Sequence, residues 1–536
     1  MPKKHWPFWL AALIAGWAVD FLFWGHTPGI SIPVWVAVIL AAGIGAAWSE
    51  GVRPAGKNWI LVVLAIGMAS VVLFRRDPIT MLVAVALSFV AIFMLTFSYQ
   101  RGFWVFYRLR DYILSGLRLL GAMIVHPVGF KSAPSADAST GNDVSPKKTH
   151  YVAPVLRGIL LAIPIVGVLA ALLASADPIF SNGLSALFTW FSLPNWPEYL
   201  FRLIYILIFA YVILGSYWHA IYPKHAEERL DQQPDSFKPF LGWTESGVVL
   251  VLVNILFAAF VVVQFRYFFG GQANITAEGY TYSDYAVRGF NELVSVAVIS
   301  LLLLLALGAV TKRESRFQSR SFSVLGVILV VLVLVILVSS FQRLTLYEDA
   351  YGFTRLRTYT HVFIPWLGAL LVTTAVLEVL NRGQRFALCL VVAAFGFGIT
   401  LAALNVDAFI TTLNIQRSED GYMVSPVVQS SRDLDTEYLG QLSTDSVPAL
   451  AAAFTDSKLG QTEKDDIGGV LACWSYRLSH DTDQSWQSFT FSKSAAWAAL
   501  QPLQTQLTHY PIDDQNGTYV MVGSAQQPCY GFGGMD

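Results

Sequence analysis

The sequence predicts an all-α polytopic membrane protein, with about eleven transmembrane helices and a small extracytoplasmic C-terminal α(+β) domain. Three observations predict it. The 536 residues are 55% hydrophobic and only 13% charged, whereas soluble proteins carry about 25% charged residues. Apolar runs recur along the chain, most of them close to the roughly 20 residues that a helix needs to cross a bilayer. Lysines and arginines gather in alternate loops, which is the bias of cytoplasmic loops. The net charge of −1 gives no field that would draw nucleic acid or an acidic partner.

The first run, 7–24, follows Met1-Pro2-Lys3-Lys4-His5. Asp20 interrupts it and no small-residue cleavage site closes it, so it reads as a retained span. Runs 32–48, 59–74 and 79–97 come next, 59–74 being short for a span. In 100–123, Phe103, Trp104, Tyr107, Ile113, Leu117 and Leu120 alternate with Arg101, Arg108, Arg110 and Arg118. That pattern suits an interfacial amphipathic helix on an anionic leaflet, or a partner-binding helix. Residues 131–150, rich in Ser, Ala, Pro, Asp and Thr, read as a flexible cytoplasmic linker. Further apolar runs occupy 155–175, 199–221, 247–268, 290–310, 321–340, 362–380 and 386–405. The division is therefore an N-terminal four-helix segment 1–125, a linker 126–150, a seven-helix core 151–405 and a C-terminal domain 406–536. No internal repeat supports an inverted-repeat transporter.

Orientation follows from the basic loops. Lys3 and Lys4, Arg53 and Lys57, the region 101–148, Lys224 and Arg229, Lys312 to Arg320, and Arg382 and Arg385 fall on one side. Segments 25–31 and 176–198 contain no Lys or Arg. The N-terminus is thus expected in the cytoplasm, and everything from Val406 outside the cell (inner) membrane. Segment 177–196 suggests a helix on the outer interface. In the tail, 433–439 and 446–454 are short helical patterns, the second with Pro448 in its first turn. Thr518-Tyr519-Val520-Met521-Val522 is strand-like.

A dense polar stretch from Leu346 to His361 lies between two apolar runs and reads as their connection. A second runs from Tyr280 to Glu292. The predicted outer-face polar cluster comprises Asp20, Asp177, Asp284, Arg288, Glu292, Glu348, Arg355, Arg357, His361 and Asp407. Arg343 and the Arg75–Arg76 pair also break the positive-inside trend. Two readings stand. In one, arginine forks grip an anionic group such as a lipid phosphate. In the other, Arg288 pairs with Asp284 or Glu292, and Arg355 and Arg357 with Glu348 and Asp349. On either reading Asp20, Arg288, Glu292, Arg355 and Arg357 are expected to converge. Tyr280, Tyr282, Tyr285, Tyr347, Tyr351 and Tyr359 read as an aromatic belt, and Asn254 as a helix–helix bond. Asp481-Thr482-Asp483 is a weak metal-like pair. No nucleotide, nucleophile-elbow or zincin motif occurs, so neither a metal nor a cofactor is expected. Cys473 and Cys529 lie in the expected outer region, where oxidation is favoured. They are expected to form a disulfide worth on the order of 4 kcal/mol from loop closure; the alternative is two buried free thiols.

Several stretches carry a resemblance: Ala18-Val19-Asp20-Phe21-Leu22-Phe23, Ser175-Ala176-Asp177-Pro178-Ile179-Phe180, Tyr285-Ala286-Val287-Arg288-Gly289-Phe290, Ala350-Tyr351-Gly352-Phe353-Thr354-Arg355-Leu356-Arg357 and Asn405-Val406-Asp407-Ala408-Phe409-Ile410. They resemble bacterial membrane proteins known as domain of unknown function 4153/4173. Asp435 to Leu439 and Val447-Pro448-Ala449-Leu450 also look like that family's outer helical tail. Val406 departs from the pattern, where proline is expected. The resemblance implies topology and bacterial origin but no activity. Three functions follow as expectations: a non-enzymatic envelope sensor, scaffold or regulator; a transporter or flippase for an anionic or lipid-linked substrate; and an outward-facing transferase using Asp20, Glu292 or His361 as acid or base. The expected partners are membrane lipids and other envelope proteins.

Overall fold

A computed structural model describes residues 6–125, scattered positions between 127 and 180, and residues 196–221, 239–269, 290–419, 434–455, 458–514 and 517–529. The first group of helices is α1 (Trp6–Phe23), α2 (Ser31–Ser49), α3 (Asn58–Phe74), α4 (Pro78–Phe97), α5 (Leu109–Val125) and α6 (Trp196–Ile221). The second is α7 (Trp243–Phe269), α8 (Phe290–Val310), α9 (Arg316–Tyr351), α10 (Arg355–Val379) and α11 (Phe386–Leu404). Among the described residues, nine helices are long and apolar enough to cross a membrane, and α3 is a shorter apolar helix. The remaining expected span, 155–175, lies outside the described residues but for isolated positions, as do most of segment 177–196 and the whole linker 131–150.

Helix α3 has 17 residues, about 25 Å of rise. Its two ends nevertheless meet opposite ends of the bundle. Asn58 donates to the carbonyls of Ser98 and Tyr99 at 2.6 and 2.9 Å. At the other end the Arg76 amide bonds Asp445 of the C-terminal domain at 2.7 Å.

Grouping by the linker places 199–221 with the later spans. The structure instead packs α6 against α1 and α5, and Leu214 and Trp218 join the first core. Small residues explain the choice. A Cβ at Gly16 would stand 2.7 Å from the Ile206 carbonyl oxygen, so only glycine lets these two backbones approach so closely. A second core forms among α7 to α11 around Leu250, Leu301, Val333 and Leu371. Phe395 of α11 inserts into the first core and joins the halves.

Helix α9 corrects the sequence reading most. The polar stretch after residue 340 is not a connecting loop. The helix runs 36 residues to Tyr351, opened by a Ser315–Gln318 capping box. Leu337, Leu344 and Glu348 are all buried; spacings of seven and four keep them on one helical face. The helix stops at Gly352, whose φ of +80° suits glycine, and α10 begins at Arg355.

A left-handed turn at Asn405, φ +54°, leads from α11 into α12 (Val406–Glu419) and the C-terminal domain. The domain continues with α13 (Thr436–Gly440), α14 (Val447–Thr455), α15 (Gln461–Ser479), α16 (Phe491–Leu500) and α17 (Gln504–Leu507). Strands β1 (Ile512–Asp513), β2 (Tyr519–Val522) and β3 (Ala525–Pro528) pair antiparallel in that order. Ile512 opposes Val520, and Val520 opposes Gln527. Val520 packs on Ala472 and Cys473 of α15, and a Cys473–Cys529 disulfide with Cα atoms 5.4 Å apart staples the sheet there. Leu401 and Tyr359 from the long helices enter the domain core beside Leu442, Leu450 and Leu471.

Candidate functional site at the domain face

The end of the bundle that carries this domain is the domain face. Three of its loops are held by carboxylates of the tail. Asp407, in the first turn of α12, is fully buried. Its oxygens accept from Arg355 Nε and Nη2 at 2.8 and 2.7 Å, the bidentate geometry of a strong charge-assisted pair. Oδ2 also accepts the Ser443 amide at 2.8 Å, and the Arg355 amide donates to the Tyr438 hydroxyl at 2.8 Å. Asp445 accepts the Arg76 amide, while Arg76 Nη1 reaches the Pro28 carbonyl at 2.8 Å. Asp483 accepts the Thr27 amide at 2.6 Å and the Ser485 hydroxyl at 2.6 Å, and also bonds Ser488 and His26. Between the first two clamps, Asp77 caps α4 through the Thr80 amide at 3.0 Å and accepts the Tyr359 hydroxyl at 2.7 Å.

The electrostatics follow the partners. Burial raises the Asp77 and Asp445 carboxyls above the usual range, against their hydrogen bonds. Burial lowers the Arg76 guanidinium. Burial acts on Asp483 as well, but the bonds from Ser485, Ser488, Thr27 and His26 outweigh it and hold its carboxyl well below the usual range.

A second network sits between α9 and α10. Glu348 is 1% exposed. Its Oε2 is 3.0 Å from His361 Nδ1, and its buried Oε1 accepts no hydrogen bond among the described residues. The Arg357 guanidinium lies 3.8 Å over the Tyr347 ring and donates to the Gly352 carbonyl. One turn deeper, Gln264 Oε1 accepts from Arg343 Nη2 at 2.8 Å and Ser339 at 3.1 Å. A third network is separate: Arg202 grips Asp20 at 2.8 and 2.6 Å, and Tyr205 donates to the same carboxylate.

The expected single cluster is therefore corrected. Asp20, Glu348, Arg355, Arg357, His361 and Asp407 divide among three networks, because each buried acid takes its donors from an adjacent helix. Arg355 pairs with Asp407 instead of Glu348 or Asp349, and Arg357 caps the end of α9. Glu292 and Asp177 are exposed. Asp284 and Arg288 lie outside the described residues. Tyr359 is no belt residue; it is buried against Asp77. Asn254 Nδ2 bonds the Leu325 carbonyl at 3.1 Å. Asp481 and Asp483 face different partners, since Asp481 takes Lys493 at 2.7 Å. Sequence reasoning missed Asp77, Arg202, Asp445 and Asp483 as site residues. Asp77 had a local signal, an N-cap acid followed by Pro78 and Thr80. Arg202 had none beyond being a lone charge within a span.

Beside the Asp483 clamp an open cleft of about 870 Å³ runs along the domain, lined by Trp486, Phe489, Trp497 and Lys493.

The family described as a domain of unknown function, DUF4153, matches residues 61–453. No curated protein and no solved structure matches the chain. The family match covers well over half of the sequence, and the chain belongs to that family.

Proposed function

We propose that this DUF4153 protein is a non-enzymatic scaffold or regulator of the bacterial cell envelope, set in the inner membrane. Its N-terminus is cytoplasmic and its C-terminal domain extracytoplasmic. The observation that carries the reading is the set of three carboxylate clamps, Asp407, Asp445 and Asp483, on three separate loops. They tie the domain to the bundle at three separate loops. An outer platform so held suits presentation of a surface to envelope partners. Photo-crosslinkers placed at Trp497 and at other exposed domain positions in living cells test it. Discrete protein adducts that disappear in Asp445→Ala and Asp483→Ala variants are expected; their absence from every position in the wild type would refute the reading.

A second reading, transport of an anionic or lipid-linked substrate, draws on the buried Gln264–Ser339–Arg343 group and on Glu348, whose Oε1 accepts no hydrogen bond among the described residues. Buried ionisable groups within spans mark substrate or proton paths more often than chance. Proteoliposomes that move an anionic lipid or metabolite, with flux lost in Glu348→Gln, would favour it. Equal flux in empty liposomes would remove it.

A further inference from the structure

We propose that the surface groove between α3 and α11 is a binding site for one anionic phospholipid, with an acyl chain in the groove and the phosphate on Arg75. The groove encloses about 430 Å³, within the roughly 300–1,000 Å³ of ligand pockets. Its walls are apolar: Val63, Met68 and Val71 from α3, Ile399 from α11. Its hollow comes from small residues, Gly67 opposite Ala402 and Ala403. Val63 and Ile399 are 68% and 50% exposed on spanning helices, so hydrocarbon is the medium that fills the space between them.

The mouth of the groove is different. Arg75 closes it at the domain face. Its Nε donates to the Ala402 carbonyl at 2.6 Å and its Nη1 to the Phe74 carbonyl at 3.0 Å. These bonds hold the guanidinium across the groove between the last turns of α3 and α11. They use two of the five N–H donors that arginine carries, and Nη2 makes no hydrogen bond among the described residues. Beside it Phe74 stacks on Phe491 of the domain at 4.9 Å, and both rings are about half exposed. Phe74 ends the apolar helix and Phe491 begins a helix of the domain, so the mouth lies at the depth where the span gives way to the domain. A cation with spare donors at that depth, above an apolar trough, complements a phosphodiester attached to a chain. A helix C-terminal cap alone would explain the two carbonyl bonds but not the trough beneath them. The site is independent of the scaffold reading.

Gly67 allows a clean test, because a Cβ there meets nothing within 4 Å. The side chain of Gly67→Leu therefore starts from open space at the groove floor. Gly45 on α2 is equally open, so Gly45→Leu is the matched control. Native mass spectrometry of the full-length protein, titrated with phosphatidylglycerol, phosphatidylcholine or inorganic phosphate, reads the occupancy. One phosphatidylglycerol per chain should be retained, and Gly67→Leu and Arg75→Gln should each weaken it about tenfold, the size of one lost charge-assisted bond or of a blocked chain. Gly45→Leu should bind as the wild type does. Melting without lipid should be unchanged in Gly67→Leu, which keeps the result readable even if Arg75→Gln unfolds. Wild-type binding by Gly67→Leu would overturn the proposal. So would equal retention of phosphatidylcholine, since charge would then not matter, or displacement of the lipid by inorganic phosphate, since the trough would then not matter.

Discussion

At the scale of single residues, the domain face is governed by where each buried charge finds its partner. Asp407 is fully buried and holds both Arg355 and the Ser443 amide. Asp407→Ala should cost about 3 kcal/mol, because it leaves a guanidinium that is only 20% exposed without its carboxylate. Adding Arg355→Ala should cost less than the sum of the two single changes. Thermal melting of the purified protein in detergent measures both; additive losses would show that the pair does not couple. The acids also differ in how they answer pH. The folded value of Asp483 is held low. A depressed acid contributes its full stability above the ordinary carboxylate value of about 4, and loses it only as pH falls through the folded value. Asp77 and Asp445 are raised, so each binds its proton more readily when folded, and stability grows as pH falls from their folded values towards about 4. Acidification from neutrality to about pH 5 should therefore leave the domain docked. Hydrogen exchange at residues 27–30 and 75–77 checks this, and faster exchange at about pH 5 in the wild type would contradict it. Asp483→Asn should loosen 27–30 at either pH.

At the scale of elements, the long apolar helices were legible in the sequence and their ends were not. Hydropathy marks where hydrocarbon must be met, so α9 was read as ending near residue 340. Helical geometry does not stop there. Leu344 and Glu348 continue the buried face of Leu337, and the signal that ends the helix is one glycine, Gly352, well beyond the apolar run 321–340. That turn is docked by a neighbour: Asn414 of α12 accepts the Phe353 amide at 2.8 Å and donates to its carbonyl at 3.0 Å. Gly352→Ala meets two obstacles, the φ of +80° and a Cβ that would lie 2.7 Å from Asn414 Oδ1. It should cost about 1–3 kcal/mol. The loss should show as a lower melting temperature together with faster proteolysis between α9 and α10. An unchanged melting temperature would mean that the turn is not held as described. The polar layer shows the same limit. Its residue types were legible as ionisable groups near helix ends, but pairing depends on which helices are neighbours. Nothing in the spacing of Arg202 and Asp20 announces that α6 returns to α1.

At the scale of the whole molecule, the loops sort into two ends. Asn58 meets Ser98 and Tyr99, Gln100 meets the carbonyls of Ala220 and Ile221, and Arg313 meets Glu378. These contacts gather the loops that contain Arg53, Lys57, Arg101, Lys312, Arg382 and Arg385 at the end away from the C-terminal domain. The domain end has arginines too, Arg75 among them, but Arg355 is paired with Asp407 and Arg76 lies in the field of Asp445 and Asp481. The basic bias that decides insertion therefore lies opposite the domain. This predicts that the domain is exported. A reporter that is active only outside the cytoplasm, joined after Thr455 at the end of α14, should be active, and one joined after Val125 should not. The disulfide gives an independent reading of the same side. Cys473 and Cys529 are bonded across 56 residues, and such bonds persist in oxidising compartments. Non-reducing mass spectrometry of protein alkylated in intact cells should find the two cysteines linked and Cys389 free. Free thiols at Cys473 and Cys529, together with reporter activity confined to the cytoplasm, would place the domain on the inner side and reverse the whole topology.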